Sequence, residues 1–288
     1  MTPLNKSNMK AKSIILSVLA LPAMVVACAQ TPEERVKAYE AAHEEMMQEY
    51  RQTMDSLSAD RQKAEAFYND FVERYIKFNL DAAKKNPDNE VAIQVLMNLR
   101  GLIDDEQTSA IISKMSAEML EREDVAALKK GLDARIATAE GKPFVDFTVN
   151  TVVGQTRSVP PQPKYAEVKL SDYVGKGKYI LLDFWSPWCG PCRREMPNIK
   201  AVYDKYKGDK FDVVSIAVWE REPVDVTIET AAKLGMDWNQ INNGGREPAE
   251  LYGVEGIPHL ILFGPDGTIL KRGFHGAEIE EVVSSYLK

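Results

Sequence analysis

Two of the three cysteines in this 288-residue chain stand close together, as Cys189-Gly-Pro-Cys192. A pair with this spacing can be half of a zinc site, a structural disulfide or a redox-active dithiol. Zinc needs four ligands, yet the sequence has no second CxxC, and His259 and His275 lie far along the chain. A static disulfide between residues three apart closes too small a loop to constrain the unfolded chain much. The spacing therefore favours a redox-active dithiol.

The residues around the pair predict how the fold would hold it. The segment from Ile180 to Phe184, which is apolar except for Asp183, predicts a strand that leads to a turn at Cys189, and the residues from Cys192 onward predict a helix. Unpaired N–H groups and the macrodipole at a helix N-terminus favour a thiolate. Because only a thiolate attacks a disulfide, this placement is the one that thiol–disulfide exchange requires.

Residues 141–288 predict an α/β domain around this pair. Short β-branched and aromatic runs alternate there with helical stretches, a pattern typical of a sheet covered by helices. The predicted strands span 144–149, 179–184, 211–218 and 260–263.

Residues 28–140 predict a separate all-α helical domain. Gly and Pro are scarce there and apolar residues recur every three or four positions, which predicts four or five antiparallel helices. Asn86-Pro87 should end one helix, and Asp104 with Gln107 should cap the start of another. Residues 29–140 carry 15 basic and 23 acidic side chains, and residues 141–288 carry 18 basic and 20 acidic side chains. The sequence contains no basic stripe of the kind that would indicate a nucleic-acid partner.

The N-terminus predicts export from the cytoplasm. Basic residues precede an apolar run from Ser13 to Ala27, which is short for a membrane span and contains Pro22. The end of this run resembles the lipobox of bacterial lipoproteins, in which Cys28 would become the lipidated first residue after removal of a signal peptide, residues 1–27. An ordinary cleaved signal with an incidental cysteine remains the alternative. The resemblance implies a periplasm-facing protein, lipid-anchored to a bacterial membrane.

The segment from Asp183 to Cys192 resembles the active-site segment of thioredoxins, and the similarity spans residues 141–288. The segments 144–147, 170–173 and 192–197 resemble the extracytoplasmic, membrane-tethered thiol–disulfide oxidoreductases of the TlpA/ResA kind. The segment 256–263 corresponds to the cis-proline loop of that family, and 223–250 to its inserted helix and strand. The resemblance implies an α/β thioredoxin fold, with a central mixed sheet and helices on both faces, preceded by the all-α helical domain.

The resemblance also assigns roles to single residues. Cys189 would be the exposed attacking thiol and Cys192 the resolving thiol, with a disulfide between them in the oxidised state. Asp183 would be a buried carboxylate that assists deprotonation of Cys192, since burial raises a carboxyl pKa toward the working pH. Trp188 would shield the site, and Pro197 would kink the helix.

Three further positions flank the expected active site. Pro258 would follow a cis peptide bond beside the cysteines, and the backbone of Ile257 would pair with an extended client chain. Glu195 resembles an acid that this family carries after its CxxC, although an ordinary surface role is an open alternative. His259 stands where thioredoxins often carry Thr. It would either influence proton transfer at the site or simply hydrogen-bond to a neighbouring loop.

The resulting prediction is an extracytoplasmic enzyme that reduces disulfides in client proteins. It would need no cofactor and no metal beyond its own dithiol, and a membrane-bound reductant would restore that dithiol. One alternative is a peroxiredoxin-like thiol peroxidase. Ser186 fits the peroxidase motif, whereas Leu182 occupies the position where that motif has proline. The other alternative is a helical binding module on a passive thioredoxin scaffold.

Overall fold

A computed structural model of the chain describes residues 30–155, 157, 159 and 162–287. The predicted signal peptide and Cys28 lie outside the described residues. No helix within the described ranges is both long enough and apolar enough to cross a membrane.

The first part of the described chain, up to residue 140, is helical. Six helices follow one another there: α1 (Pro32–Ser56), α2 (Arg61–Lys85), α3 (Val91–Asn98), α4 (Asp105–Ile112), α5 (Ala117–Leu120) and α6 (Glu123–Ala137). Asn86 ends α2, and Asp104 and Gln107 form a capping box at the start of α4, as predicted. The count exceeds the expected four or five because Ile111 and Ile112 lie in α4, whereas Met119 lies in the separate helix α5. The Ser116 hydroxyl accepts a hydrogen bond from the N–H of Met119 and so begins α5 separately.

A five-stranded mixed sheet forms the centre of the remaining chain. Its strands are β3 (Tyr179–Trp185), β4 (Phe211–Ala217), β5 (Asn239–Ile241), β6 (His259–Phe263) and β7 (Ile269–Arg272), in the order β5-β4-β3-β6-β7. The strands β3, β4 and β5 are parallel, and β6 runs antiparallel to both β3 and β7. The helix and strand expected between residues 223 and 250 are present as α8 (Val224–Lys233) and β5.

Helices cover both faces of this sheet. One face packs against α7 (Gly190–Tyr206), α8 and α10 (Glu278–Tyr286), around buried side chains that include Leu181 and Trp185. The other face packs against α9 (Glu247–Leu251) and the chain around Phe147. The predicted fold class, a mixed sheet with helices on both faces after a helical region, is therefore confirmed.

The predicted strand over residues 144–149 is wrong in its position. Strand β1 (Thr148–Gln155) begins four residues later and pairs with β2 (Pro163–Lys169) in a separate antiparallel hairpin. The N–H of Phe144 bonds to the carbonyl oxygen of Gly267, and the N–H of Val145 bonds to the hydroxyl of Tyr252. The partners of these two N–H groups belong to a turn and to a side chain. Because neither partner belongs to a neighbouring strand, the segment does not form a strand.

Candidate active site

The cysteine pair lies where β3 leads into α7. Cys189 is the N-cap of α7, and its Sγ accepts a hydrogen bond of 3.1 Å from the backbone N–H of Cys192. The two sulfur atoms are joined in a disulfide. After reduction, the same N–H group and the helix N-terminus would stabilise a thiolate at Cys189.

Both cysteines are covered in the disulfide form. Cys192 is fully buried, and Cys189 is only 3% exposed. The expectation of an exposed attacking thiol is therefore wrong for this form. Trp188 and Ile257 pack against the same core cluster as Cys189, and the Cys189 Sγ lies 3.6 Å from the carbonyl oxygen of Ile257. In the disulfide form the Cys189 sulfur is therefore poorly accessible to a client protein.

Asp183 lies inside the fold, on the cysteine side of the sheet. Side chains alternate between the faces of a strand, and Leu181 and Trp185, two positions before and after Asp183, belong to the core cluster of Cys192. Asp183 is completely buried, and this burial raises its pKa to about 7, against the opposing effect of a hydrogen bond from Ser215. The negative charge of Glu195 raises the pKa further. A carboxyl that titrates near neutral pH can exchange protons at the working pH.

A short chain of hydrogen bonds orients the Asp183 carboxyl. Trp238 donates from Nε1 to the hydroxyl oxygen of Ser215 at 2.8 Å, and that hydroxyl donates to Oδ2 of Asp183, also at 2.8 Å. The other carboxyl oxygen, Oδ1, is buried without a hydrogen-bond partner among the described residues. A buried oxygen without a partner is costly, and protonation or contact with a thiol would relieve that cost.

Glu195 is a buried residue of α7. Its Oε1 accepts hydrogen bonds from Nδ2 of Asn198 at 2.8 Å and from the N–H of Gly276 at 3.0 Å. Its Oε2 lies 4.0 Å from Nδ1 of His275. The structure therefore places Glu195 in the protein interior, where its charge acts on Asp183, and not on an open surface.

Trp188 is held beside the disulfide by the loop that follows β4. Its Nε1 donates to the carbonyl oxygen of Trp219 at 3.0 Å, and the guanidinium carbon of Arg221 lies 3.8 Å above its ring centroid. Trp219 itself has a positive φ of 54°. Arg221 therefore places a cation on the indole that packs against the core cluster to which both cysteines belong.

The residues before β6 complete the site. The Ile257–Pro258 peptide bond is cis, as the resemblance implied. The carbonyl oxygen of Ile257 is the backbone group that approaches Cys189. We call residues 252–258 the proline loop.

His259 and Pro197 are the remaining residues that were expected at the site. His259 pairs with Phe184 across β6 and β3 and packs against its ring, on the sheet face opposite α7. Burial and the positive charges of Arg272 and His275 lower the pKa of His259 to about 4, and Nη2 of Arg272 lies 3.3 Å from its Nε2. This geometry favours the hydrogen-bonding alternative over proton transfer at the dithiol. Pro197 lies within α7, which continues through it to Tyr206.

Sequence reasoning missed four residues of this site: Ser215, Trp238, Trp219 and Arg221. Ser215 carried a detectable signal, since it is a hydroxyl within the apolar strand β4 and stands directly opposite Asp183 in the register. The other three come from segments whose approach to the dithiol only the tertiary structure reveals. Among the described residues, no group of three or more His, Cys, Asp or Glu side chains could hold a metal ion.

The part of the chain that holds the cysteine pair is similar to known proteins. Residues 141–272 match the model of the AhpC/TSA family. The thiol-disulfide oxidoreductase ResA of Bacillus thuringiensis subsp. konkukian is 28% identical over 149 residues, covering 51% of this chain and 76% of ResA. ResA of Bacillus subtilis is 27% identical over 121 residues, covering 42% of this chain and 64% of that protein.

A solved structure extends the similarity in fold beyond the dithiol domain. A thioredoxin-like protein from Bacteroides caccae superposes with a TM-score of 0.50 at 20% identity, over 78% of this chain and 83% of its own. The part of the chain from residue 141 onward therefore has a thioredoxin-like fold and is similar in sequence to the ResA thiol-disulfide oxidoreductases.

Proposed function

We propose that this protein is a thiol–disulfide oxidoreductase that reduces disulfides in client proteins. The observation that carries the proposal is the Cys189–Cys192 disulfide at the N-terminus of α7, under the proline loop and on the same side of the sheet as a buried carboxyl of raised pKa. The ResA relatives, named as thiol-disulfide oxidoreductases, support the same activity.

The reaction begins from the reduced dithiol. The Cys189 thiolate attacks one sulfur of a client disulfide, that S–S bond breaks, and the departing client sulfur takes a proton. Cys192 then loses its proton and attacks the Cys189 sulfur of the mixed disulfide, which releases the second client thiol. The client gains two electrons and two protons, and the protein is left with the Cys189–Cys192 disulfide.

Asp183 is the group suited to receive the Cys192 proton. Its pKa of about 7 lets the carboxylate accept a proton near neutral pH, and its Oδ1 has no competing hydrogen bond within the described structure. Ser215 and Trp238 hold the other carboxyl oxygen in place. In the resolving step, the carboxylate would therefore act as a general base.

The reducing direction is supported by the residues between the cysteines. Gly190 and Pro191 resemble the intervening dipeptide of reducing members of the fold. A protein that reduces its clients must itself be re-reduced, so the proposal requires a thiol-bearing, membrane-bound partner that passes two electrons to the disulfide.

The proposed location is the extracytoplasmic face of a membrane, with a lipid at Cys28. Support comes from the basic and apolar N-terminal sequence that ends at this cysteine. Cys28→Ser should move the folded protein from the membrane fraction to the soluble extracytoplasmic fraction without lowering dithiol activity in vitro. Retention of the variant in the membrane would contradict lipid anchoring.

A thiol peroxidase is the competing activity, since the matching family model is that of AhpC/TSA. The structure offers it little support. Ser186 is buried and its hydroxyl donates to the carbonyl oxygen of Val218, so it is not free to bind peroxide. Leu182 is a buried strand residue at the position where the peroxidase motif requires proline.

Three assays test the proposal together. The reduced protein should reduce insulin disulfides, and it should consume hydrogen peroxide no faster than a Cys189→Ser control. Cys192→Ser should trap clients as mixed disulfides that dithiothreitol releases, whereas Cys189→Ser should trap none. Peroxide consumption without insulin reduction would establish the peroxidase instead. Inactivity in both assays together with client binding that survives loss of both cysteines would establish the passive scaffold.

A further inference from the structure

The proline loop lies between the sheet and the helical region, and the helical region contacts it directly. Thr138, the C-cap of α6, is fully buried, and its hydroxyl lies 3.3 Å from the carbonyl oxygen of Tyr252, the first residue of the loop. Farther along the loop, Glu255 forms ion pairs with Arg100 at 2.8 Å and with Arg135 at 2.5 Å.

Gly253 allows the backbone of the proline loop to approach the backbone of α6. Its φ is +59°, and a Cβ at this position would lie 2.8 Å from the backbone nitrogen of Arg135 and 2.9 Å from the carbonyl oxygen of Gly131. Such distances leave no space for a side chain. The loop backbone therefore lies against the backbone of α6.

One guanidinium connects this interface to the residue after Pro258. Arg272 is the last residue of β7. Its Nη1 donates to the carbonyl oxygen of Thr138 at 2.9 Å and to the Thr138 hydroxyl at 2.7 Å. Its Nη2 donates to the carbonyl oxygen of Tyr252 at 2.7 Å and lies 3.3 Å from Nε2 of His259. Arg272 thereby joins the end of α6 to the first residue of the proline loop and to the residue that follows the loop.

We propose that Arg272 is a positioning residue, which fixes the proline loop against the helical region so that the backbone of Ile257 is in place for a client chain. The described contacts of the Arg272 guanidinium are with Thr138, Tyr252 and His259 and not with the cysteines. It acts through Tyr252 and His259, from the sheet face opposite α7. The helical region is then a working part of the client-binding site, and this inference rests on the proposed function.

The proposal predicts a specific kinetic split. A loosened loop should weaken the binding of an extended protein client, which needs the loop backbone. It should leave the reaction with a small disulfide, which needs only the Cys189 thiolate, nearly unchanged. A residue that only stabilised the fold would affect both reactions in parallel.

Two matched sets of variants isolate the contact. Thr138→Val removes the hydroxyl that meets Arg272 and keeps the side-chain shape, whereas Thr138→Ser keeps the hydroxyl. Arg272→Met removes the whole guanidinium. Lys130→Met is the control, because it removes an ion pair with Glu250 in the same interface but outside the proline loop.

The first measurement does not depend on activity. Backbone amide exchange of the proline loop, followed by mass spectrometry on the oxidised proteins, should be about tenfold faster in Arg272→Met and faster in Thr138→Val than in the wild type. Thr138→Ser and Lys130→Met should match the wild type, and α7 should be equally protected in all variants. Unchanged exchange in both Arg272→Met and Thr138→Val would overturn the proposal.

The second measurement compares insulin with 5,5′-dithiobis(2-nitrobenzoate). Arg272→Met should raise the KM for insulin about tenfold, the effect of losing roughly 1.4 kcal/mol of client binding, and should change the rate with the small disulfide less than about twofold. Equal losses in both reactions would reduce Arg272 to a structural residue. If the wild type reduces no insulin, the proposed function fails, and amide exchange alone then decides whether Arg272 holds the loop.

Discussion

Replacing Asp183 by asparagine should flatten the pH dependence of stability of the oxidised protein. The pKa of Asp183 rises from its ordinary 3.8 to about 7 in the folded state because the carboxyl is completely buried. Between these two values the folded protein holds a proton that the unfolded chain has released. The contribution of Asp183 to stability is therefore largest below about pH 4, and it falls as the pH rises toward 7.

The size of the effect follows from the same two pKa values. Each pKa unit corresponds to about 1.4 kcal/mol, so the free energy of unfolding should fall by about 4 kcal/mol across the window because of Asp183 alone. Asparagine remains neutral throughout, and the variant should lack this fall. The difference in stability between variant and wild type should therefore move in favour of the variant by up to about 4 kcal/mol between acidic and mildly alkaline pH.

Guanidinium chloride unfolding of the two oxidised proteins, followed by tryptophan fluorescence at several pH values from about 4.5 to 8.5, measures this difference. Ser215→Ala is a matched variant, because the Ser215 hydroxyl donates to the carboxylate and lowers the pKa of Asp183. Without this hydrogen bond the pKa of Asp183 should be higher still. The free energy of unfolding of Ser215→Ala should therefore continue to fall at pH values where that of the wild type has levelled off. Parallel stability curves for the wild type and Asp183→Asn would refute the assignment of a raised pKa to Asp183.

Three further predictions test other parts of the site. Asp183→Asn should slow the release of client from a preformed mixed disulfide, most strongly just above pH 7, and an unchanged pH–rate profile in stopped-flow measurements would remove its role as a base. Gly253→Ala should lower the free energy of unfolding by about 2 kcal/mol or more, because of its positive φ and its contact with α6. Gly256→Ala, which has open space and no positive φ, should stay within about 0.5 kcal/mol of the wild type in the same denaturant assay. Arg221→Gln should speed reduction of the disulfide by a small phosphine about threefold, since the cation that holds Trp188 is lost; an equal rate would show that Trp188 needs no cation to stay in place.

Local sequence patterns predicted the secondary-structure elements that hold the site. The apolar run before Cys189 forms β3, the residues after it form α7, and the alternation beyond residue 141 forms a mixed sheet. These predictions succeeded because the spacing of apolar residues and the signals that start a helix both depend on residues close together in the chain. The strand expected over residues 144–149 failed because the N–H groups of Phe144 and Val145 bond to a turn carbonyl at Gly267 and to the Tyr252 hydroxyl, and no local pattern distinguishes such partners from a neighbouring strand.

The access to the sulfurs was decided by tertiary packing. The nearly complete burial of Cys189 in the disulfide form depends on the fold, because Ile257 lies 68 residues farther along the chain and its carbonyl oxygen approaches the Cys189 sulfur. Likewise, the place of Trp188 depends on Trp219 and Arg221, which come from the end of another strand.

The sequence by itself indicated a redox dithiol at the start of a helix, since cysteine spacing and helix signals are local. Only the tertiary structure decided the chemistry of Asp183, whose pKa depends on complete burial and on Ser215 and Glu195. It also decided the link from α6 through Arg272 to the proline loop. The physical reason is the same in both cases: desolvation and long-range hydrogen bonds arise from residues far apart in the chain, and they exist only once the fold has brought those residues together.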